Sequence, residues 1–428
     1  MTLPDAAAAT QPDSAPAPWK LRYCAVFIGQ SLSLLGSQLT QFVLLWWITD
    51  STGSVGAVAT AGIAALLPQA LLSPLGGALA DRYSRRALMM LADAVSAACV
   101  VALIALFASG GISLWQVYAA MAVRSAMQAF QSPAAAASVP MLVPRSFLPR
   151  AAGLSQTLQG ITAIVAAPLG ALALGLMPLG WALSIDVFTA AVAIGSLLVF
   201  RIPQPVRAGA GAGSTVLHDL AEGLRYIGHH RGLRQLYGLL AGVMLLVMPA
   251  FTLVPLLVKQ HFGQGPAQVA AVQGFLGAGM VAGGLLMTAL APRRQVPWIL
   301  GGFALCSLAL AGMAFTPAAL ATVAPLWWGL AGLAFVAGNT PLVALIQLSV
   351  PNELQGRAFS LLSALVGLAA PVGLALALPV GEWIGIRGLF IGMGLLGAAG
   401  CLAGFGSRAL RSLQAVTEAP AAGRATQG

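Results

Sequence analysis

The chain has 428 residues, of which 59% are hydrophobic and only 7% charged, with a formal net charge of +10. Its mean hydropathy is +0.89; soluble domains run nearer half apolar and about a quarter charged, so a water-soluble core is excluded and a membrane-embedded protein is expected. The basic residues are scattered between apolar runs without interleaved aromatics, which excludes a nucleic-acid footprint.

Residues 1–19 are rich in Ala, Pro and Asp and lack a basic start followed by an apolar run. They read as a disordered cytoplasmic tail rather than a signal segment. A span needs about 20 apolar residues. Twelve segments qualify: 22–48, 56–80, 87–109, 113–140, 151–175, 178–200, 235–259, 268–291, 297–316, 320–348, 357–379 and 384–406. With both termini placed inside, the inner segments hold 18 of the 21 Lys and Arg residues. Only Lys259 and Arg387 fall outside, and Arg124 lies within a span. That bias orients the chain with both ends in the cytoplasm. The four cysteines stand singly in or beside apolar runs and read as packing residues.

The organisation expected is a six-helix bundle over 20–200, a cytoplasmic linker over 201–234, a second bundle over 235–407 and a disordered tail over 408–428. Within the linker, apolar residues at 217, 220, 224 and 227 predict a short amphipathic helix on the inner membrane surface. The halves carry repeat signals. Gly76-Gly77 and Gly283-Gly284 are offset by 207 residues, as are Arg86 and Arg293, Pro144 and Pro351, and Arg150 and Arg357. Two repeats with a site between them near mid-membrane are the signature of many secondary transporters.

The run Gly76 to Arg86 packs four charges, Asp81, Arg82, Arg85 and Arg86, into six residues between spans 2 and 3. Its G-x-x-x-D-R-x-x-R-R pattern, from Gly77, resembles the loop 2–3 motif of the major facilitator superfamily of secondary transporters, with Ser84 where that motif usually has Gly. The resemblance implies an all-α membrane protein of twelve transmembrane helices in two pseudo-symmetric six-helix bundles. It also implies a conformational latch at Gly77, Asp81, Arg82, Arg85 and Arg86. The Asp81 carboxylate would meet the N-terminus of span 11, a favourable position for an anion, and would favour the outward-open state. The linker run Asp219-Leu220-Ala221-Glu222-Gly223-Leu224-Arg225-Tyr226-Ile227 resembles drug- and siderophore-exporting branches, of the enterobactin-exporter and macrolide-efflux type.

Arg124 lies about 16 Å into span 4 at 1.5 Å per residue, where an unpartnered Arg costs at least about 2.5–3.5 kcal/mol. It must face a cavity or a partner. With Gln128 one turn on, it resembles the family's span 4 motif, which implies proton coupling; spans 1, 4, 7 and 10 line the family's cavity. Asp93 in span 3 and Asp186 in span 6 are the other intramembrane charges, each open to a titrating or a structural role. Gln30, Ser33, Ser37 and Gln41 share one face of span 1, which suits either a cavity or helix–helix hydrogen bonds. Asn339 in span 10 is expected to face the same cavity, with Trp46, Trp47, Met244, Met248 and Phe251 as apolar walls.

No phosphate-binding loop, nucleophile triad or metal-ligand spacing occurs, and His229-His230 reads as a solvated pair. No enzyme activity, metal or cofactor is expected beyond a proton gradient. The function expected is export of a bulky amphipathic small molecule, a drug or siderophore, by a monomeric proton-coupled antiporter in a bacterial inner membrane. Its other partners would be membrane lipids. The alternatives are a lysophospholipid flippase of the same fold and a non-transporting membrane sensor.

Overall fold

The computed structural model describes residues 19–202, 224–290, 292–350 and 352–418, all helix, turn or coil with no strand among them. In lipid every backbone N–H and C=O must be paired within the chain, and these apolar runs do so as helices. In chain order they are α1 (Trp19–Thr52), α2 (Val55–Arg82), α3 (Arg85–Ser109), α4 (Leu114–Leu142), α5 (Leu148–Leu176), α6 (Leu179–Val199), α7 (Arg231–Phe262), α8 (Pro266–Leu290), α9 (Gln295–Phe315), α10 (Ala324–Ser349), α11 (Asn352–Phe405) and α12 (Arg408–Glu418).

Ten described helices are long and apolar enough to cross a membrane. One of them covers 49 residues, Arg357–Phe405, about 74 Å of helix and more than twice the ~30 Å hydrocarbon thickness. It turns at Gly385, whose φ of 73° suits a residue without a Cβ. α4 is long enough to cross but falls outside the ten, and its polar residues include Arg124, Gln128 and Gln131. Counting α4 and both limbs of α11 gives twelve crossings.

Helix ends are closed locally. Ser54 and Ser84 cap α2 and α3 by accepting from Ala57 N and Ala87 N, and Ser113 forms a capping box with Gln116. Ser84, the departure from the loop motif, therefore has a structural task.

The helices share two ends. At the near end, Trp19 of α1 packs on Phe147, Arg86 of α3 reaches the end of α6, and Ser407 donates to Gln235 of α7. At the far end, Lys259 of α7 meets Asp50 of α1, and His261 meets Thr316. Within the first bundle α2 packs on α4, α1 on α5 and α6, and α3 on α4 and α6. The second bundle repeats this, with α8 on α10, α7 on α11, and α9 on α10 and α11. Two seams join the bundles, α2 against α11 and α5 against α8. Each is the other's equivalent under the repeat.

Small residues set these distances, as expected where lipid supplies little hydrophobic drive between helices. A Cβ on Gly76 would lie 1.9 Å from the Ala129 carbonyl oxygen of α4, and one on Gly283 would lie 2.7 Å from that of Leu333 in α10. The close approach thus falls on Gly76. Gly77, the glycine of the loop motif, has open space around it.

The tail differs from its expectation. Residues 408–418 form α12, which packs on α7: a Cβ on Gly232 would lie 3.0 Å from Ala409 O and 3.2 Å from Leu413 Cβ. Apolar positions at helical spacing give that segment a buried stripe, with Leu410 almost fully covered. The amphipathic linker helix expected over 215–227 lies outside the described residues except for a helical turn at 224–229, as do residues 1–18 and 419–428.

Candidate functional site: a glutamine-lined cavity beside two buried carboxylates

Between the bundles lies a cavity of about 830 Å³. It runs from the near end, at Tyr23 of α1, Leu142 of α4 and Ser155 of α5, to a floor made by Gly62 of α2 and Met248, Phe251, Thr252 and Pro255 of α7. Gln30, Gln41 and Gln128 line it, and so do Met248 and Phe251.

Beyond the floor the far end is shut. Lys259 Nζ donates to Asp50 Oδ1 at 2.8 Å and to the Asp50 carbonyl at 2.6 Å, within the last turn of α1. A cation is favoured at a helix C-terminus. Gln260 donates to the Gly53 carbonyl. Glu382 of α11 stands at the opposite helix pole: its carboxylate lies against Gly56 in the first turn of α2, where a Cβ would come within 2.5 Å of it. The pairs bridge 207 residues or more of sequence, and no local pattern announces them.

The polar face of α1 divides its members between two tasks. Ser37 Oγ donates to Asp186 Oδ1 of α6 at 3.2 Å, and Ser33 Oγ donates to Asp93 Oδ1 of α3 at 3.3 Å. Gln30 does both jobs. Its Nε2 donates to Asp93 Oδ2 at 3.2 Å while its Oε1 accepts from Gln131 Nε2 at 2.7 Å, and Gln131 in turn accepts from Gln128 at 3.3 Å. A chain of amides therefore runs from a buried carboxylate to the cavity wall. Asp93 and Asp186 are both buried.

Arg124 does not reach the cavity. Its Nη1 donates to Asp186 Oδ2 at 2.5 Å, and its Nη2 lies 3.5 Å from the Ser37 carbonyl. The two side chains are 11% and 4% exposed. The pair ties α4 to α6 across α1. Gly36 permits this, because a Cβ there would strike Thr189 Oγ1 and crowd Asp186 Oδ1 at 3.2 Å.

Several expectations are corrected. Asn339 does not line the cavity. Phe251 packs on Trp328 and Phe335 of α10, ring centroids 5.5 and 6.5 Å away, and stands between α10 and the open space. Trp46 and Met244 are core residues, and Trp47 packs edge-on against Phe107 at 5.0 Å. In the loop 2–3 run, Arg85 donates to the carbonyls of Ala80 at 3.3 Å and Ala137 at 2.6 Å, and Arg86 to those of Leu197 at 2.5 Å and Leu198 at 3.1 Å. These contacts stay inside the first bundle: those of Arg85 join α3 to α2 and α4, and those of Arg86 cap the last turn of α6. Arg82 is exposed. The Asp81 side chain, and with it the expected approach to span 11, lies outside the described residues. Gln38, Gln131, Gln159 and Gln273 line the cavity and escaped the sequence reading, although Gln131 lies one turn from Gln128.

Two repeated bundles about a cavity that reaches one end and is shut at the other define a membrane carrier. The chain matches the Major Facilitator Superfamily over residues 26–373 and belongs to that family. It is a multi-pass transmembrane transporter and not an enzyme. It is similar to macrolide efflux protein A of Streptococcus pyogenes, 29% identical over 88% of this chain and 94% of the relative. The multidrug efflux pump Tap of Mycobacterium tuberculosis is 26% identical over 82% of this chain and 84% of its own length. Among solved structures, an inward-facing, unoccupied bacterial homologue of the human lysosomal transporter Spinster superposes with a TM-score of 0.63 at 18% identity, covering 94% of both chains. The human organic anion transporter MFSD10 does so with 0.60 at 19% identity, over 92% of this chain and 99% of its own.

Proposed function

We propose that this transporter exports a bulky amphipathic small molecule in exchange for protons, by alternating access across a bacterial inner membrane. The near end, which gathers nearly all the described Arg and Lys residues, faces the cytoplasm. The conformation described is then inward-open, with the cavity loading from the cytoplasm and the Lys259–Asp50 gate holding the outside shut. The observation that carries this reading is the cavity itself, which reaches the near end only. The efflux names of the relatives support the direction.

Coupling rests on the acids beside the cavity. Arg124 holds Asp186 as a charged pair that fixes α1, α4 and α6 to one another while the bundles rock. Asp93 is the proton carrier. As a carboxylate it accepts from Gln30 and Ser33. Protonated on Oδ2, it donates at that oxygen instead, and Gln30 turns its amide and presents a different group to Gln131 and the cavity. Proton loading thereby changes the wall that a ligand meets. The loop 2–3 charges act on the same cycle: Arg85 and Arg86 brace the first bundle, and Asp81 holds the near end shut when the far end opens.

The test is flux into proteoliposomes under an imposed pH gradient, with a panel of cationic, anionic and uncharged amphipathic drugs. Uphill movement of at least one compound, abolished by a protonophore and by Asp93→Asn, is expected. Downhill flux indifferent to the gradient would overturn the coupling.

A further inference from the structure

The chemistry of the cavity wall is narrower than its size. None of the described side chains lining it carries a charge. The charges nearest to it are turned elsewhere: Asp93 is bound behind Gln30 and Ser33, and Arg124 is neutralised by Asp186. What the wall holds instead is amides. Gln30, Gln128 and Gln131 are joined to one another, whereas Gln38 and Gln41 of α1, Gln159 of α5 and Gln273 of α8 make no hydrogen bond to a described residue. Four free amides thus enter the space from three helices and from both bundles. Elsewhere the wall is apolar, with Phe42, Leu66, Met248 and Phe251 at the level of the floor.

Moving an ion from water into such a wall costs several kcal/mol unless a counter-charge meets it, and none stands ready. An amide pays no such penalty towards neutral oxygen. Each glutamine has two donors and an acceptor and can turn to suit a hydroxyl, an ether or a carbonyl. A volume of about 830 Å³ lies near the top of the ~300–1,000 Å³ range of small-molecule sites, room for several fused or linked rings.

We infer that the cargo is an uncharged, polyoxygenated amphiphile, with its oxygen-bearing face against the free glutamines and its hydrocarbon face against Phe42, Leu66, Met248 and Phe251. This rests on the exporter reading and narrows it. Catecholate siderophores, which are anions, and lipophilic cations are excluded as preferred cargo.

The experiment is equilibrium binding to the full chain in nanodiscs, with digoxin as an uncharged polyoxygenated probe, tetraphenylphosphonium as a cation and bromosulfophthalein as an anion, followed by flux of the same three in proteoliposomes. Saturable digoxin binding, at least about tenfold tighter than either ion, is expected. Gln41→Leu and Gln273→Leu should each weaken it by about 3- to 10-fold, the worth of one hydrogen bond. Gln41→Glu places a carboxylate in the wall and should create tetraphenylphosphonium binding, a gain that misfolding cannot mimic. Digoxin failing to bind folded protein, either ion binding as tightly as digoxin, or glutamine variants that bind digoxin as the wild type does would each overturn the inference. Ion flux driven by the gradient would sink it while leaving the exporter standing. Normal digoxin binding without gradient-driven flux would do the reverse.

Discussion

Replacing Arg124 by Leu strands the Asp186 carboxylate between α1, α4 and α6. The acid keeps only the Ser37 hydrogen bond at 3.2 Å and loses a charge-assisted contact of 2.5 Å. With its side chain 4% exposed, water cannot replace the guanidinium. Breaking a buried pair from one side costs about 3–5 kcal/mol, whereas replacing both partners by apolar residues is often neutral or better. Arg124→Leu should therefore unfold at markedly lower denaturant than the wild type in micelles, and adding Asp186→Leu should restore most of the loss. Tryptophan fluorescence during chemical unfolding reads the stability, and size-exclusion chromatography confirms that each variant is folded. Flux then separates structure from coupling. The stable double variant should still exchange substrate down its gradient but lose uphill movement driven by protons. A single variant as stable as the double would refute the buried-pair argument. Normal proton-driven uptake by the double variant would remove the pair from the coupling.

The far-end gate and the glycine seam make further predictions. Lys259→Met removes a pair that is 31% and 61% exposed on its two sides, worth about 0.2–1 kcal/mol. It should move the inward- to outward-open balance by no more than about fivefold, read as a longer distance between spin labels at positions 51 and 264; an unchanged distance distribution would show that the gate is held elsewhere. Gly76→Ala drives a Cβ into the Ala129 carbonyl, 1.9 Å away, and overpacking of this kind typically costs about 1–3 kcal/mol or more. It should cut the folded yield, while Gly77→Ala, with open space around it, should express and transport as the wild type does. Equal yields from the two would place the α2–α4 contact wrongly.

The sequence by itself determined the class. Composition required lipid, the spacing of apolar runs gave the spans, and matching glycines 207 residues apart marked the repeat. It also fixed which residues needed an explanation, because an Arg at mid-membrane demands a partner whatever the fold. What it left open was the partner. Helical periodicity records which side of a helix is polar but not which neighbour that side meets. Arg124 and Gln128 share a face one turn apart, yet one is spent on Asp186 and the other lines the cavity. Gln30, Ser33, Ser37 and Gln41 form one stripe, yet two serve the buried acids, one the cavity and one both. Asn339 is not among the residues that line the cavity, where Phe251, from a helix nearly 90 residues away, packs on Trp328 and Phe335 of α10 instead. Those choices, and the gathering of free glutamines from three helices, were decided only when the close glycine contacts set how each helix is turned against the next.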